Sequence, residues 1–349
     1  MRLADTSAFS NTGLNGAYAF GLSGWDYQAG RYALAASGTA SSGNFSSIAA
    51  DINDAGTLSS SLTGGSGTFS VGSNGRGTAT FTIGSATFDA AVYVVSNTEA
   101  IFVTTDALAQ NHPMLSGEAL SAPGPFKASA WQNSYLLRMA GVSLGAPDPN
   151  IGVLTFNGQS QVSGTIYEND GGTPSTVVIS SNYGVDSSTG RLGMNATLSG
   201  QSLGPHPVVG YVASAGSGVS AFLISTDASA QAGELEFQNA NPPITTFGNL
   251  SLEGPQYSGT DEDLDANTWN YVGTVNPNGN GFGAGCLCDV SIPGIGLTPN
   301  ERFVATYSVS KNGTGFFGGE TVSVTNGTTT FYIDESPLDT HPAVTVVQQ

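Results

Sequence analysis

Histidine, serine and carboxylate side chains are the residues of this sequence whose types could support catalysis or metal binding. The 3 histidines each precede a proline, at His112, His206 and His341. A catalytic triad or a zinc site needs a histidine beside a serine, cysteines or carboxylates that hold its ring in place. Because these histidines lie in turns of three different parts of the chain, we expect them to be solvent-facing loop residues.

Ser202 lies in the sequence Gly-Gln-Ser-Leu-Gly, which matches the nucleophile-elbow pattern of serine hydrolases. That pattern exposes a serine only where a strand turns sharply into a helix. Here Pro205, His206 and Pro207 follow, and then a β-rich segment. Since the chain has 48 glycines, a chance match is common. We therefore predict that the protein is not an enzyme and that it has no catalytic residue.

The densest acidic cluster is Asp261, Glu262, Asp263 and Asp265. Alternating carboxylates in a loop can gather oxygen ligands around Ca²⁺, but this cluster lacks the glycine and the distal glutamate of an EF-hand. The pattern favours a solvated acidic loop, with Ca²⁺ binding as the alternative. We predict no metal site and no cofactor.

Cys286 and Cys288 are the 2 cysteines of the chain. On an extended strand both side chains would point to one face, too far apart for an unstrained mutual disulfide. A strained local bridge, a bond between subunits and two buried thiols all remain open. A redox or metal role is the less favoured interpretation.

The charge balance excludes several partners. Asp and Glu total 26 against 8 Lys and Arg, a net charge of -18. Without a basic stripe, nucleic acids and anionic membrane surfaces are disfavoured, and no apolar run is long enough for a membrane-spanning helix. The first residues lack the apolar segment of a signal peptide. A lysine-poor composition rich in glycine, serine and threonine nevertheless favours an extracellular or cell-surface protein whose leader has been removed.

A hairpin over residues 67–83 organises the rest of the chain. Its two halves alternate in polarity, and Asn74-Gly75 supplies the positive φ angles of a tight turn. Similar hairpins recur at residues 182–198 and 306–322. The sequence therefore predicts an all-β protein, with three tandem antiparallel β-barrel or β-sandwich domains in series.

Other features recur between these blocks and set their boundaries. The turn that begins at Asn53 is matched by one that begins at Asn169. Asp106, Asp227 and Asp334 recur at one strand end, which predicts a shared backbone cap or turn. Segments rich in proline separate the blocks. We predict domains at residues 13–122, 130–238 and 246–349, after an N-terminal arm of residues 1–12.

The arm has no counterpart in the other two blocks by sequence. Its apolar anchors are Leu3, Ala8 and Phe9. Short segments of this kind join subunits by adding a strand to a neighbour's sheet. We predict that these residues take part in assembly, with a frayed terminus as the alternative.

Several sequence strings together resemble the tandem β-domains of secreted, uncharacterised bacterial surface proteins from acidobacteria-like genomes. They are residues 14–20, the turn at Asp54, the Asn74-Gly75 hairpin and the strand that ends at Asp106. The likeness covers the first block well, the second fairly and the third poorly. It implies an extracellular setting and an architectural or adhesive role, and it transfers no residue function.

Two functions of different classes fit this sequence. The first is a structural subunit of an extracellular fibre, pilus-like filament or surface layer, assembled by non-covalent head-to-tail contacts, with strand addition by residues 1–12 as the favoured joint. The second is an adhesin-like module for carbohydrate or a small ligand, in which Trp25, Trp131 or Trp269 stacks on sugars. Five asparagines fit the N-glycosylation pattern, as chance predicts in so Ser/Thr-rich a chain: Asn44, Asn195, Asn249, Asn312 and Asn326.

Overall fold

The computed structural model describes residues 4–195, 207–215, 218–238, 246–260, 270–318, 321–336 and 339–348. Within these ranges the strands form three closed antiparallel barrels, arranged in series along the chain. The predicted all-β fold is confirmed, and of the two predicted architectures it is the barrel that forms. The strands of each barrel follow one another in chain order around its wall.

Barrel 1 precedes the first proline-rich segment. Its strands are β1 (Gly16–Trp25), β2 (Arg31–Ser41), β3 (Asn44–Asp54), β4 (Thr57–Val71), β5 (Arg76–Ile83), β6 (Ala86–Ser96), β7 (Glu99–Thr104) and β8 (Met114–Ser121). The wall closes because Ala119 of β8 lies between Ala100 of β7 and Phe20 of β1.

Barrel 2 contains eight strands and a small side hairpin. The hairpin is β10 (Val142–Ser143) with β11 (Ala146–Pro147). The wall strands are β9 (Ser134–Ala140), β12 (Asn150–Phe156), β13 (Gln161–Asp170), β14 (Thr173–Val185), β15 (Arg191–Asn195), β16 (Val208–Ala215), β17 (Gly218–Ser225) and β18 (Ala232–Phe237). Leu136 of β9 closes the wall between Glu236 of β18 and Val153 of β12.

Barrel 3 ends the described chain. Its strands are β19 (Gln256–Thr260), β20 (Asn270–Pro277), β21 (Phe282–Ile292), β22 (Gly296–Val309), β23 (Thr314–Phe317), β24 (Thr321–Thr325), β25 (Thr329–Asp334) and β26 (Thr345–Gln348). Val347 of β26 lies between Thr330 of β25 and Ser258 of β19, which closes this barrel.

Alternating side chains fill the barrel interiors, as the strand period requires. The core of barrel 1 is built from phenylalanines: Phe20, Phe45, Phe69, Phe81, Phe88 and Phe102. The core of barrel 2 centres on Trp131, Tyr135, Phe156 and Tyr183. Full burial of one such ring contributes about 1.5–3 kcal/mol to folding, and barrels 1 and 2 each have a hydrophobic core of their own.

A short 3-10 helix precedes the first strand of each barrel: Thr6–Ala8, Ala128–Ala130 and Asn249–Leu252. Beside each helix, a phenylalanine packs against the glycine of the recurring hairpin. Phe9 contacts Gly75, Phe126 contacts Gly190 and Phe247 contacts Gly313, and all three glycines have positive φ angles. In each barrel, the segment that precedes the first strand therefore packs against the recurring hairpin of that barrel.

This arrangement corrects the prediction for residues 1–12. The segment does have counterparts, which sequence comparison misses because the shared features are one aromatic ring and a three-residue or four-residue helix. Ala8 is buried in the core of barrel 1 and Phe9 packs against that core, while Asn11 accepts a hydrogen bond from the Val71 amide. Leu3 lies outside the described residues.

Strand addition also lacks an acceptor. It requires an unpaired sheet edge, and within the described ranges the eight-stranded walls of the three barrels are closed. The structure therefore gives Ala8 and Phe9 a role inside their own barrel, and it brings neither of them to a free strand edge.

Candidate functional site at the junctions between barrels

The residues whose types suggested catalysis are not brought together among the described residues. His112 Nδ1 lies 3.5 Å from Asp106 Oδ2 in a loop of barrel 1, whereas His341 lies in barrel 3, where its amide donates to Asp339. Ser202 and His206 lie outside the described residues. The described part of the chain contains no group of three or more His, Cys, Asp or Glu side chains placed to hold a metal ion.

The acidic cluster and the cysteines have different outcomes. Asp261, Asp263 and Asp265 lie outside the described residues, so the predicted solvated acidic loop stays a prediction, with Ca²⁺ binding as its alternative. Cys288 is buried and forms a disulfide bond. This removes the alternative of two buried thiols; the side chain of Cys286 is outside the described structure.

The tryptophans and the barrel interior, which suggested sugar or small-ligand binding, offer little accessible surface among the described residues. Trp131, predicted as an exposed stacking surface, is fully buried in the core of barrel 2. Trp25 is half-buried beneath the guanidinium of Arg31, and Trp269 lies outside the described residues. Barrel 2 encloses a cavity of about 30 Å³, room for about two water molecules. Asn326, one of the five asparagines that fit the N-glycosylation pattern, is buried.

Among the described residues, several buried polar contacts join one barrel to the next. At the junction of barrels 1 and 2, the outward-facing residues of β1, β2 and β3 pack against those of β16 and β17. The shared apolar cluster includes Ala19, Ala33, Ala35, Ala49, Val209, Tyr211, Phe222 and Ile224. These positions alternate with the residues that fill each barrel, so each strand serves an interior core and a junction at once.

A buried carboxylate holds this junction together. Asp51 of β3 has no solvent exposure. Arg191 of barrel 2 donates to it from Nε at 2.7 Å and from Nη2 at 2.8 Å, and the Tyr211 hydroxyl donates at 2.9 Å. The Ser61 amide adds a bond from within barrel 1. The hydrogen bonds to Asp51 raise the pKa of Arg191 further, which is the behaviour of a matched ion pair.

A second polar contact repeats at both junctions. Asn53 Nδ2 donates to the carbonyl oxygens of Ser225 and Asp227, at 2.9 and 2.7 Å. In the same way, Asn169 Nδ2 of barrel 2 donates to the Asp334 carbonyl of barrel 3 at 2.7 Å. Both asparagines also accept a hydrogen bond from a glycine amide of their own turn. The recurring turn of one barrel therefore binds the recurring strand end of the next barrel.

The apolar contact repeats as well. At the junction of barrels 2 and 3, β9 and β12 pack against β24 and β25 through a cluster that includes Leu136, Ile151, Val153, Val324, Phe331 and Ile333. Strand pairing makes Phe331 the equivalent of Phe222 and Val324 the equivalent of Tyr211. Tyr167 stands where Asp51 stands in barrel 1, and it hydrogen-bonds the side chain of Thr314, the equivalent of Arg191.

The sequence indicated both partners of the asparagine–carbonyl contact but did not show that they pair. The turns at Asn53 and Asn169 and the strand ends at Asp227 and Asp334 were visible as repeats. The Asp227 and Asp334 side chains do cap local turns, through the Ser229 and Ser336 amides. Asp106 instead accepts a hydrogen bond from the Asp89 amide, so the predicted shared cap is present at two of the three strand ends. The carbonyl groups of Asp227 and Asp334 carry the inter-barrel contact, and a carbonyl has no sequence signature. The Asp51–Arg191 pair occurs at one junction only, so no repeat indicated it.

Glu335 makes the second junction sensitive to pH. Burial, with a smaller contribution from the Asp334 charge, raises the pKa of Glu335 to about 7. Its Oε1 atom is buried without a hydrogen-bond partner among the described residues, and it faces Tyr167 of barrel 2. The folded protein therefore binds a proton here that the unfolded chain releases near pH 4.5.

This shift predicts that the stabilising contribution of protonated Glu335 is present at pH 4.5 and is lost as the pH rises to about 7. Glu335→Gln keeps the neutral form at every pH. Its stability advantage over the unmodified chain should grow by about 1 kcal/mol between pH 4.5 and 8, a value discounted for the half-exposed position. Denaturant unfolding at several pH values measures it. Glu301→Gln, at an exposed position of the same barrel, should show no such growth, and equal slopes for both variants would contradict the assignment.

Comparisons with known proteins assign no family to the chain. No protein-family model matches it, and no curated protein matches it. Among solved structures, an H. pylori β-clamp in complex with 5-chloroisatin aligns with a TM-score of 0.12 and 9% identity over 82% of this chain and 88% of that chain. An overlap this low does not indicate a shared fold. Among the described residues, no helix has the length and hydropathy needed to cross a membrane.

Proposed function

We propose that the chain is a structural subunit of an extracellular fibre, filament or surface layer that assembles head to tail. The observation that supports this proposal is the junction itself: one face-to-face contact, with an asparagine bound to a backbone carbonyl, joins barrel 1 to barrel 2 and again barrel 2 to barrel 3. A chain that extends itself twice by one contact has the parts needed to extend further by the same contact.

The distribution of polar groups supports a structural role over catalysis. The most buried charged side chain at a junction, Asp51, is fully occupied by Arg191, Tyr211 and a backbone amide. A catalytic carboxylate needs access to a substrate, and this one has no solvent exposure. The hydrogen bonds of Asp51 therefore stabilise the contact between barrels 1 and 2.

The proposal is tested by the size of the protein in solution. Analytical ultracentrifugation over a wide concentration range should show a series of oligomers that grows with concentration, and negative-stain microscopy should show rows of barrels. A monomer that persists at millimolar concentration would count decisively against a self-assembling subunit. A glycan array serves the alternative, since specific sugar binding by a monomer would favour an adhesin.

A further inference from the structure

The two end barrels each carry one half of the junction on a surface that is exposed. We call the outer surface of the first three strands of a barrel its forward face, and the outer surface of its fifth, sixth and seventh strands its rear face. Within the chain, the forward faces of barrels 1 and 2 bind the rear faces of barrels 2 and 3. This pattern leaves the rear face of barrel 1 and the forward face of barrel 3 without a partner barrel.

The rear face of barrel 1 reproduces the residues that bind Asp51 in barrel 2. Arg76 is the first residue of β5, as Arg191 is of β15. Each arginine pairs across the sheet with a tyrosine, Tyr93 in barrel 1 and Tyr211 in barrel 2. The Arg76 guanidinium lies 5.8 Å from the Tyr93 ring centre, and its Nε donates to the hydroxyl at 3.3 Å.

Exposure distinguishes the two copies of this pair. Tyr211 is completely buried at its junction, whereas Tyr93 is 42% exposed. Beside Tyr93, the exposed Ile101 stands at the position of Phe222. Val103, two residues further along β7, is exposed as well, where Ile224 is buried in barrel 2. The rear face of barrel 1 therefore has the composition of a junction without the covering barrel.

The forward face of barrel 3 reproduces the other half. Asp289 lies three residues before the end of β21, as Asp51 does in β3. Asp289 Oδ1 accepts a hydrogen bond from the Asn300 amide at 3.0 Å, and Asp51 Oδ1 accepts one from the Ser61 amide at 3.0 Å. Asn300 and Ser61 both adopt positive φ angles, of 61° and 53°. The two carboxylates are thus held by the same local backbone structure.

The two carboxylates differ in what covers them, because Asp289 is exposed. Val272 pairs with Asp289 as Ala35 pairs with Asp51, and Val272 is 66% exposed, whereas Ala35 is fully buried. Leu287, on the same face of β21, is exposed too. One position departs from the pattern: Ser291 replaces the asparagine of the other two barrels, so the forward face of barrel 3 has a shorter polar donor at that point.

From this match we infer that the forward face of barrel 3 binds the rear face of barrel 1 of a second copy of the chain, with Asp289 accepting hydrogen bonds from Arg76 and Tyr93. This inference rests on the proposed function and specifies its joint. The occupant is a second copy because the exposed charges and apolar residues of the two ends are the two halves of a contact that the chain already makes internally. Both ends are exposed in the monomer, so they do not meet within one chain.

Charge reversal tests this joint. Arg76→Glu and Asp289→Arg each place like charges opposite one another, and each should weaken association at least tenfold by sedimentation. Both positions are exposed, so the barrels should fold normally by circular dichroism. A chain that carries both substitutions, or an equimolar mixture of the two single variants, places opposite charges together again and should recover most of the affinity. Lys127→Glu, at an exposed position between barrels, is the matched control.

The outcomes separate the joint from the proposed function. If the unmodified chain assembles and both reversals behave like Lys127→Glu, the joint lies elsewhere and the proposed function stands. If each reversal weakens assembly but neither the doubly substituted chain nor the mixture recovers it, the direct pairing of Asp289 with Arg76 is wrong. If the unmodified chain never associates, the proposed function and this joint fail together.

Discussion

Replacing Asp51 with alanine is expected to uncouple barrel 1 from barrel 2. The substitution leaves the Arg191 guanidinium and the Tyr211 hydroxyl without their acceptor in a dry junction. Removal of one partner of a buried ion pair typically costs 3–5 kcal/mol. Because Arg191 is 31% exposed, it can recover some hydration, so we expect a loss of about 3 kcal/mol. Calorimetry should show barrels 1 and 2 melting separately.

The repeat supplies a matched control for this substitution. Tyr167 occupies the equivalent position at the second junction, where the interaction is a neutral hydrogen bond to Thr314. Tyr167→Phe should cost no more than about 1.5 kcal/mol. Asp51→Leu combined with Arg191→Leu removes both charges and should recover much of the lost stability. Equal losses for Asp51→Ala and Tyr167→Phe would show that the ion pair does not fasten the junction.

Replacing Trp131 with alanine is expected to destabilise barrel 2 by about 3–5 kcal/mol, the range for truncation of a buried large aromatic. The indole is fully buried and packs on Tyr135 and Phe156, with ring centres 4.7 and 5.0 Å away. Its backbone carbonyl also accepts a hydrogen bond from Tyr183. Without the indole, the core of barrel 2 has a void next to this aromatic cluster. Hydrogen exchange of barrel 2 amides measures the loss.

Trp25 provides the comparison for Trp131 and bears on the adhesin alternative. It is half-buried beneath Arg31, so Trp25→Ala should cost about 1 kcal/mol. If the role of Trp131 is structural, Trp131→Ala should change the stability of barrel 2 and have no specific effect on sugar binding. Loss of binding to a defined glycan with unchanged stability would instead assign Trp131 to a ligand site.

The sequence by itself determined the all-β class and the repeated hairpin. Period-two alternation and Asn-Gly turns are local signals, because strand geometry fixes which side chains share a face and tight turns need positive φ angles. The recurrence of Asn53 with Asn169, and of Asp227 with Asp334, is also readable from the chain. These signals predict separate modules in series, and separate barrels are what the chain forms.

Only the tertiary structure decided how the modules are joined and closed. Asn53 meets the carbonyl of Asp227, 174 residues away, and no local rule relates two positions so distant. Residues 1–12, which have no counterpart by sequence, pack through Ala8 and Phe9 against barrel 1. The sequence did not show this because one phenylalanine against one hairpin glycine is too small a motif to recognise. Asp51, Arg76 and Asp289 look like ordinary surface charges in the sequence. Only the closed barrel walls place Asp51 and Asp289 at the same position of a forward face, and Arg76 at the position of Arg191 on a rear face.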